Sequence, residues 1–251
     1  MHYSELIFAG VGVGMIFGVF GAGGSAFATP VLAMLGVPAL VAVASPLPAM
    51  LPASLAAARL HFRAGKVDTR VAKLTVLGAA PGTIVGALAA TAVGGTRLLV
   101  ASGAMLLTVG IRLILPDGAG HQRRCDQRRD HGRIVVAASF GIGVLTGLLA
   151  NGGGFLLVPL FVLLLGLPAG DAAGTSLVAV GVLTVPTIAT HWYLGHIDWR
   201  LAGIFAVGAV PGSVAGARIA QRLATARARQ AFGFMLVTFA AWFLARELFW
   251  R

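Results

Sequence analysis

Two glycine-rich runs carry the most chemical information in this sequence: Gly21-Ala22-Gly23-Gly24-Ser25 and Asn151-Gly152-Gly153-Gly154, each near the middle of a long apolar stretch. Glycine releases the backbone from helical geometry and removes side-chain bulk. At membrane depth, unwound backbone is tolerated only where it is packed against protein or lines a wet cavity. Half-helices beginning after such runs would aim free N–H groups and the positive ends of their dipoles at the gap. That arrangement binds carboxylate-, sulfate- or phosphate-like groups without a buried cation. The candidate substrate site is therefore Gly23, Gly24, Ser25 and Thr29 from the first run and Asn151, Gly152, Gly153 and Gly154 from the second. Ser45, Thr175 and Ser176 in the segments that follow add neutral hydroxyls. The competing reading is close helix packing, which Gly, Ser and Thr also favour in lipid.

His61 and His191 close two apolar stretches, where a titrating imidazole could relay protons or gate an anion path; anchoring at the interface is the plainer role. Asp68 with Arg70 and Asp198 with Arg200 form Gly-x-(Val/Ile)-Asp-x-Arg before an apolar stretch, where aspartate caps a helix N-terminus. Pro46, Pro48 and Pro52 crowd one segment and Pro186 marks its counterpart, so kinks or unwinding are expected there. No Gly-Lys-Ser/Thr follows either glycine run, which argues against a nucleotide-driven pump. Cys125 is the single cysteine, so neither an intrachain disulfide nor a thiolate metal cluster is available, and no metal or cofactor is expected.

The elements that must position these residues are membrane helices. Of 251 residues, 58% are hydrophobic and only 11% charged, where soluble domains carry roughly 25% charged residues. Charge falls between long apolar runs, which span about 6–37, 40–58, 74–92, 98–115, 134–167, 172–189, 201–217 and 231–245. The formal net charge of +11 resides largely in short loops beside those runs, as in membrane proteins, and leaves no basic soluble domain to bind nucleic acid. Met1 to Glu5 offers no basic region ahead of the first apolar stretch, which is thus expected to remain in the mature protein.

The chain also repeats itself. A shift of 129 residues matches Gly14 with Gly143, Gly18 with Gly147 and Pro30 with Pro159. A shift of 130 then matches Pro38 with Pro168, His61 with His191, Gly65 with Gly195, Asp68 with Asp198 and Arg70 with Arg200, and beyond them Gly78, Pro81, Gly82 and Gly86 with Gly208, Pro211, Gly212 and Gly216. The domain reading is a first transmembrane repeat over 1–115, a basic cytoplasmic linker over 116–133 and a second repeat over 134–251. The first and fifth stretches exceed the length that crosses a hydrocarbon core of about 30 Å, so each is expected to be broken or folded back. A re-entrant hairpin plus three crossings would invert the repeats, whereas a broken through-helix would leave them parallel. Segment length favours inversion, and loop charge barely separates the two.

On the glycine runs with Pro30 and Pro159 and on the paired Gly-x-(Val/Ile)-Asp-x-Arg loops, the whole chain resembles the sulfite exporter TauE/SafE family, also called the four-toluene-sulfonate uptake permease family. The resemblance implies a secondary carrier of sulfite, thiosulfate or organosulfonates such as sulfoacetate, with no catalytic residue. The expected protein is all-α, multi-pass in the cell's inner membrane, in contact with lipid and a small anion, with a homodimer left open. A passive anion channel would share the site. An intramembrane enzyme pairing Ser25 with His61 or His191 is the reading of a different class.

Overall fold

The computed structural model describes residues 3–21, 27–93, 95–114, 130–149, 154–163, 165–220 and 225–249. Among them the secondary structure is helical throughout, in the order α1 Tyr3–Val19, α2 Ala28–Met34, α3 Ala39–Ala44, α4 Leu47–Arg63, α5 Thr69–Val93, α6 Gly95–Ile114, α7 Asp130–Leu149, α8 Gly154–Leu163, α9 Ala169–Tyr193, α10 Trp199–Ala220 and α11 Thr225–Phe249. Among the described residues five segments are long and apolar enough to cross a bilayer: Ala39–Arg63, Thr69–Ala90, Gly132–Leu149, Gly170–Tyr193 and Trp199–Ala220. The first of these joins α3 and α4 across Ser45-Pro46. The expected proline effect is thus uneven, because α9 runs unbroken through Pro186 and α4 through Pro52. Helix α7 takes in residues 130–133, the end of the stretch expected as linker.

The same local devices recur in both halves. Gly65 and Gly195 end α4 and α9 with φ of +68° and +71°. The next residue donates its N–H five positions back in each case, Lys66 to the His61 carbonyl and His196 to the His191 carbonyl, both at 3.0 Å. This αL termination satisfies the last carbonyls of each helix, and glycine adopts it without the Cβ penalty. Two residues later Asp68 Oδ1 accepts the N–H groups of Arg70 and Val71, and Asp198 Oδ1 those of Arg200 and Leu201, so both aspartates cap the following helix as expected.

Close helix contacts run mostly between the halves. Helix α1 lies along α10, with Gly208, Gly212 and Gly216 meeting successively later turns of α1, so the two run parallel. Helices α5 and α7 form the matching parallel pair through Gly78, Gly82 and Gly86. These glycines stand at every fourth position, where small residues let backbones approach in lipid. The α3–α4 segment packs antiparallel to α9: the N–H of Asp198 reaches Ser45 at one end, the N–H of Asp68 reaches Thr175 at the other, and Gly181 meets Ser54 between them. Helices α6 and α11 are antiparallel too, Gly103 meeting Leu244 and Gly110 meeting Val237. Of the five spans, those of α3–α4 and α9 are the most buried and form the centre of the assembly. Phe17, Phe161, Phe205 and Phe243 are fully buried around them, while Phe8, Leu77, Trp192 and Tyr193 face outward, as lipid and its interface require.

Candidate functional site

Of the expected ligands, Gly23, Gly24, Ser25, Asn151, Gly152 and Gly153 lie outside the described residues, and Gly154 is the first residue of α8. The approach to the first run is described. Gly21 has φ of +73° and faces α9 so closely that a Cβ there would lie 2.8 Å from the Ala173 Cα. The first run therefore starts against the turn of α9 that holds Thr175 and Ser176. Helices α2 and α8, which follow the two runs, have only 7 and 10 residues. At 1.5 Å per residue neither crosses a core of about 30 Å.

The hydroxyls divide by location. Thr29 is buried near the start of α2. Ser176 Oγ donates to the Ala173 carbonyl at 2.8 Å. Ser45 Oγ accepts the Asp198 N–H and Thr175 Oγ1 the Asp68 N–H, each at 2.9 Å. Each hydroxyl thus holds the interhelical turn of the opposite half. Because α3–α4 and α9 run antiparallel, Ser45 and Thr175 sit near opposite ends of the pair, on the order of 25 Å apart along the axis, and do not share one site.

Between them lie buried hydroxyls that the sequence reading passed over. Ser54 and Thr184 occupy equivalent positions, as do Thr83 and Ser213. Ser213 Oγ reaches the Ala53 carbonyl of α4 at 3.0 Å and the Val210 carbonyl at 2.8 Å. Ser54, Thr83 and Thr184 bond carbonyls of their own helices. A hydroxyl at the same register position in both halves was the available signal. Their protons are committed to carbonyls, so an anion would find lone pairs there, whereas backbone N–H groups at a glycine run present only donors.

The two equivalent histidines differ sharply. His191 is buried, with Nε2 3.1 Å from the Gly147 carbonyl of α7 and Nδ1 3.1 Å from Nδ1 of His196. A carbonyl only accepts, so the His191 hydrogen sits on Nε2, its Nδ1 is the acceptor, and His196 donates. His196 lies between the spans, and burial holds its imidazole below the ordinary range. His61 is equally buried, 2% exposed, yet neither ring nitrogen has a partner. Lys66 and Asp171 are the charged groups that act on it. Lys66 occupies the register position of His196, which explains why the two turns differ. An orphaned buried imidazole is uncommon, since most buried polar side-chain atoms find a partner.

Comparison with known proteins bears on this arrangement. The family described as "Sulfite exporter TauE/SafE" matches residues 6–243. A protein of Xylella fastidiosa strain 9a5c, named "Probable membrane transporter protein", is 30% identical over 245 residues, covering 94% of this chain and 92% of its own. The "Probable membrane transporter protein YjnA" of Bacillus subtilis strain 168 is 23% identical over 229 residues, covering 87% and 90% of the two chains. No solved structure matches significantly.

Proposed function

The chain belongs to the sulfite exporter TauE/SafE family and is a multi-pass membrane transporter, and from this premise we propose that it is a secondary carrier of a small sulfur oxyanion or organosulfonate, working by alternating access between two inverted repeats in the cell's inner membrane. The observation that carries this reading is the antiparallel packing of equivalent segments, α3–α4 on α9 and α6 on α11, because counterparts that run in opposite directions are what inversion requires. Transporters built on inverted repeats bind substrate near the midplane, at interrupted helices on the repeat interface.

Several features support the anion site at the glycine runs. Helices α2 and α8 are too short to cross and begin just after the runs, so a helix start, the kind of element that attracts anions, follows each run. Gly21 places the entry to the first run against α9 of the other half. The orphaned imidazole of His61, on which the charges of Lys66 and Asp171 act, suits a proton relay or gate better than an anchor, and His191 with its two partners suits the anchor. Among the small anions such a site would take, it is the family that points to sulfite, and the resemblance that adds thiosulfate and organosulfonates such as sulfoacetate.

The test is thermal stabilisation of the purified protein by sulfite, thiosulfate, sulfoacetate, sulfate and acetate, repeated with Gly24→Leu and Gly153→Leu. Stabilisation by one sulfur anion that both variants abolish supports the site. A response to none of the anions, or one that survives both substitutions, overturns it.

A further inference from the structure

An open groove of about 690 Å³ lies on the outward side of the α5–α7 pair. Leu74, Leu77 and Pro81 of α5 and Val136 and Phe140 of α7 wall it, and Gly132 and Arg133 form its mouth. Leu77, Pro81, Phe140 and Arg133 are all exposed, so the groove faces the bilayer rather than the transport path. From Leu74 to Pro81 it descends about 10 Å, the upper part of one leaflet.

The mouth is cationic. Arg133 stands in the first turn of α7, and Arg70 and Lys73 lie one helical turn before Leu74 and Leu77, on the same stripes of α5; all three are exposed. Of the acids nearby, Asp68 is committed to capping α5 and Asp130 opens α7, which leaves the mouth net positive.

The equivalent pair α1–α10 at the other end of the molecule is an internal comparison. Tyr3 and Phe8 stand there in place of Gly132 and Ala137, and Ser4 and Gly203 in place of Arg133 and Lys73. Arg200, the counterpart of Arg70, donates to the Tyr3 hydroxyl and lies 5.2 Å from the centroid of its ring. With Asp198 committed to capping α10 as Asp68 caps α5, that end holds Glu5 against the single cation Arg200. Relative to that pair, the α5–α7 mouth lacks the two aromatic side chains and carries three cations in place of one.

We propose that the α5–α7 groove is a binding site for an anionic phospholipid, with an acyl chain lying between Leu74 and Phe140 and the phosphate held by Arg133, Lys73 and Arg70. This face adjoins the basic turns and loops, which by the positive-inside rule meet the leaflet richer in anionic lipid.

The experiment is native mass spectrometry of the full chain in detergent, with phosphatidylglycerol or phosphatidylcholine of identical acyl chains added. Retention of phosphatidylglycerol over phosphatidylcholine is expected. Each removed cation should weaken it roughly fivefold, so Arg133→Gln with Lys73→Gln loses most of the adduct while Arg133→Lys keeps it. Ala137→Phe, which installs the bulk found on the other face, should lose both lipids, and Arg200→Gln should change neither. All four positions are exposed, so folding is not at stake, and unchanged melting without lipid verifies this. Equal retention of the two lipids, or phosphatidylglycerol surviving the double substitution, overturns the proposal. So does a dimer that Ala137→Phe dissociates without affecting lipid, because a second copy would then be the occupant.

Discussion

Helix α1 and its counterpart α7 each offer a pair of glycines two residues apart, of which one faces a partner backbone and one faces open space. A Cβ added at Gly14 would lie 2.8 Å from the Ala209 Cα, and one at Gly143 would lie 2.8 Å from the Ala79 Cα, with the partner carbonyl oxygen nearer still. Carbon atoms rest at about 3.5–4.0 Å, so each alanine must drive its helix pair apart by close to an ångström. Nothing lies within 4 Å of the same atom at Gly12 or Gly141. Overpacking against backbone costs about 1–3 kcal/mol, while alanine in place of glycine returns up to about 1 kcal/mol of helix propensity. Gly14→Ala and Gly143→Ala should therefore lose about 1–2 kcal/mol, and Gly12→Ala and Gly141→Ala should gain a few tenths or more. For a chain of this size that is a fall of roughly 2–8 °C against a small rise in melting temperature. The assay is thermal unfolding of the four variants in one detergent. Four equal shifts, or losses at Gly12 and Gly141, would refute the parallel glycine contacts of both helix pairs.

Other expectations follow from single contacts. Thr175→Val removes the acceptor of the Asp68 N–H and should cost about 1–2 kcal/mol in a melting assay, whereas Thr175→Ser keeps it and stays near wild type; equal losses would deny the bond. Gly65→Ala meets no atom within 4 Å but must hold φ near +68°, so its loss of about 1–2 kcal/mol is conformational, and replacement by asparagine should recover part of it. Burial keeps the His196 pKa below its ordinary 6.5, so protons bind the unfolded chain more readily. That stability is full above about pH 6.5 and declines on acidification below it; His196→Gln should flatten the decline, and an unchanged slope would count against the buried pair with His191.

Much of the architecture was legible because the duplication preserves residues with one physical job each. Gly65 and Gly195 end helices, Asp68 and Asp198 start them, and the paired register located both turns. The Gly-x3-Gly rows of α1, α5, α7 and α10 were visible only as matched letters, since what they touch depends on which helices meet in space. The exchange of turns between halves was hidden for the same reason: that Ser45 holds Asp198 and Thr175 holds Asp68 follows from antiparallel packing, not from spacing along either repeat. His196 escaped notice because its register partner is Lys66, so the comparison that singled out His61 and His191 passed over the residue that makes them different. The glycine runs remain the best reading of the site, since the midplane hydroxyls that the fold adds have their protons committed to carbonyls.

The central claim is a carrier with an anion site at the paired glycine runs, and counterflow tests it most directly. Proteoliposomes loaded with unlabelled sulfite, thiosulfate or sulfoacetate would be diluted into a trace of the labelled anion. The account predicts transient, saturable accumulation of label above equilibrium for one of these anions, abolished by Gly24→Leu and by Gly153→Leu. Label that only equilibrates, linearly with concentration and without overshoot, would make the protein a passive anion channel; overshoot that persists in both variants would place the substrate elsewhere.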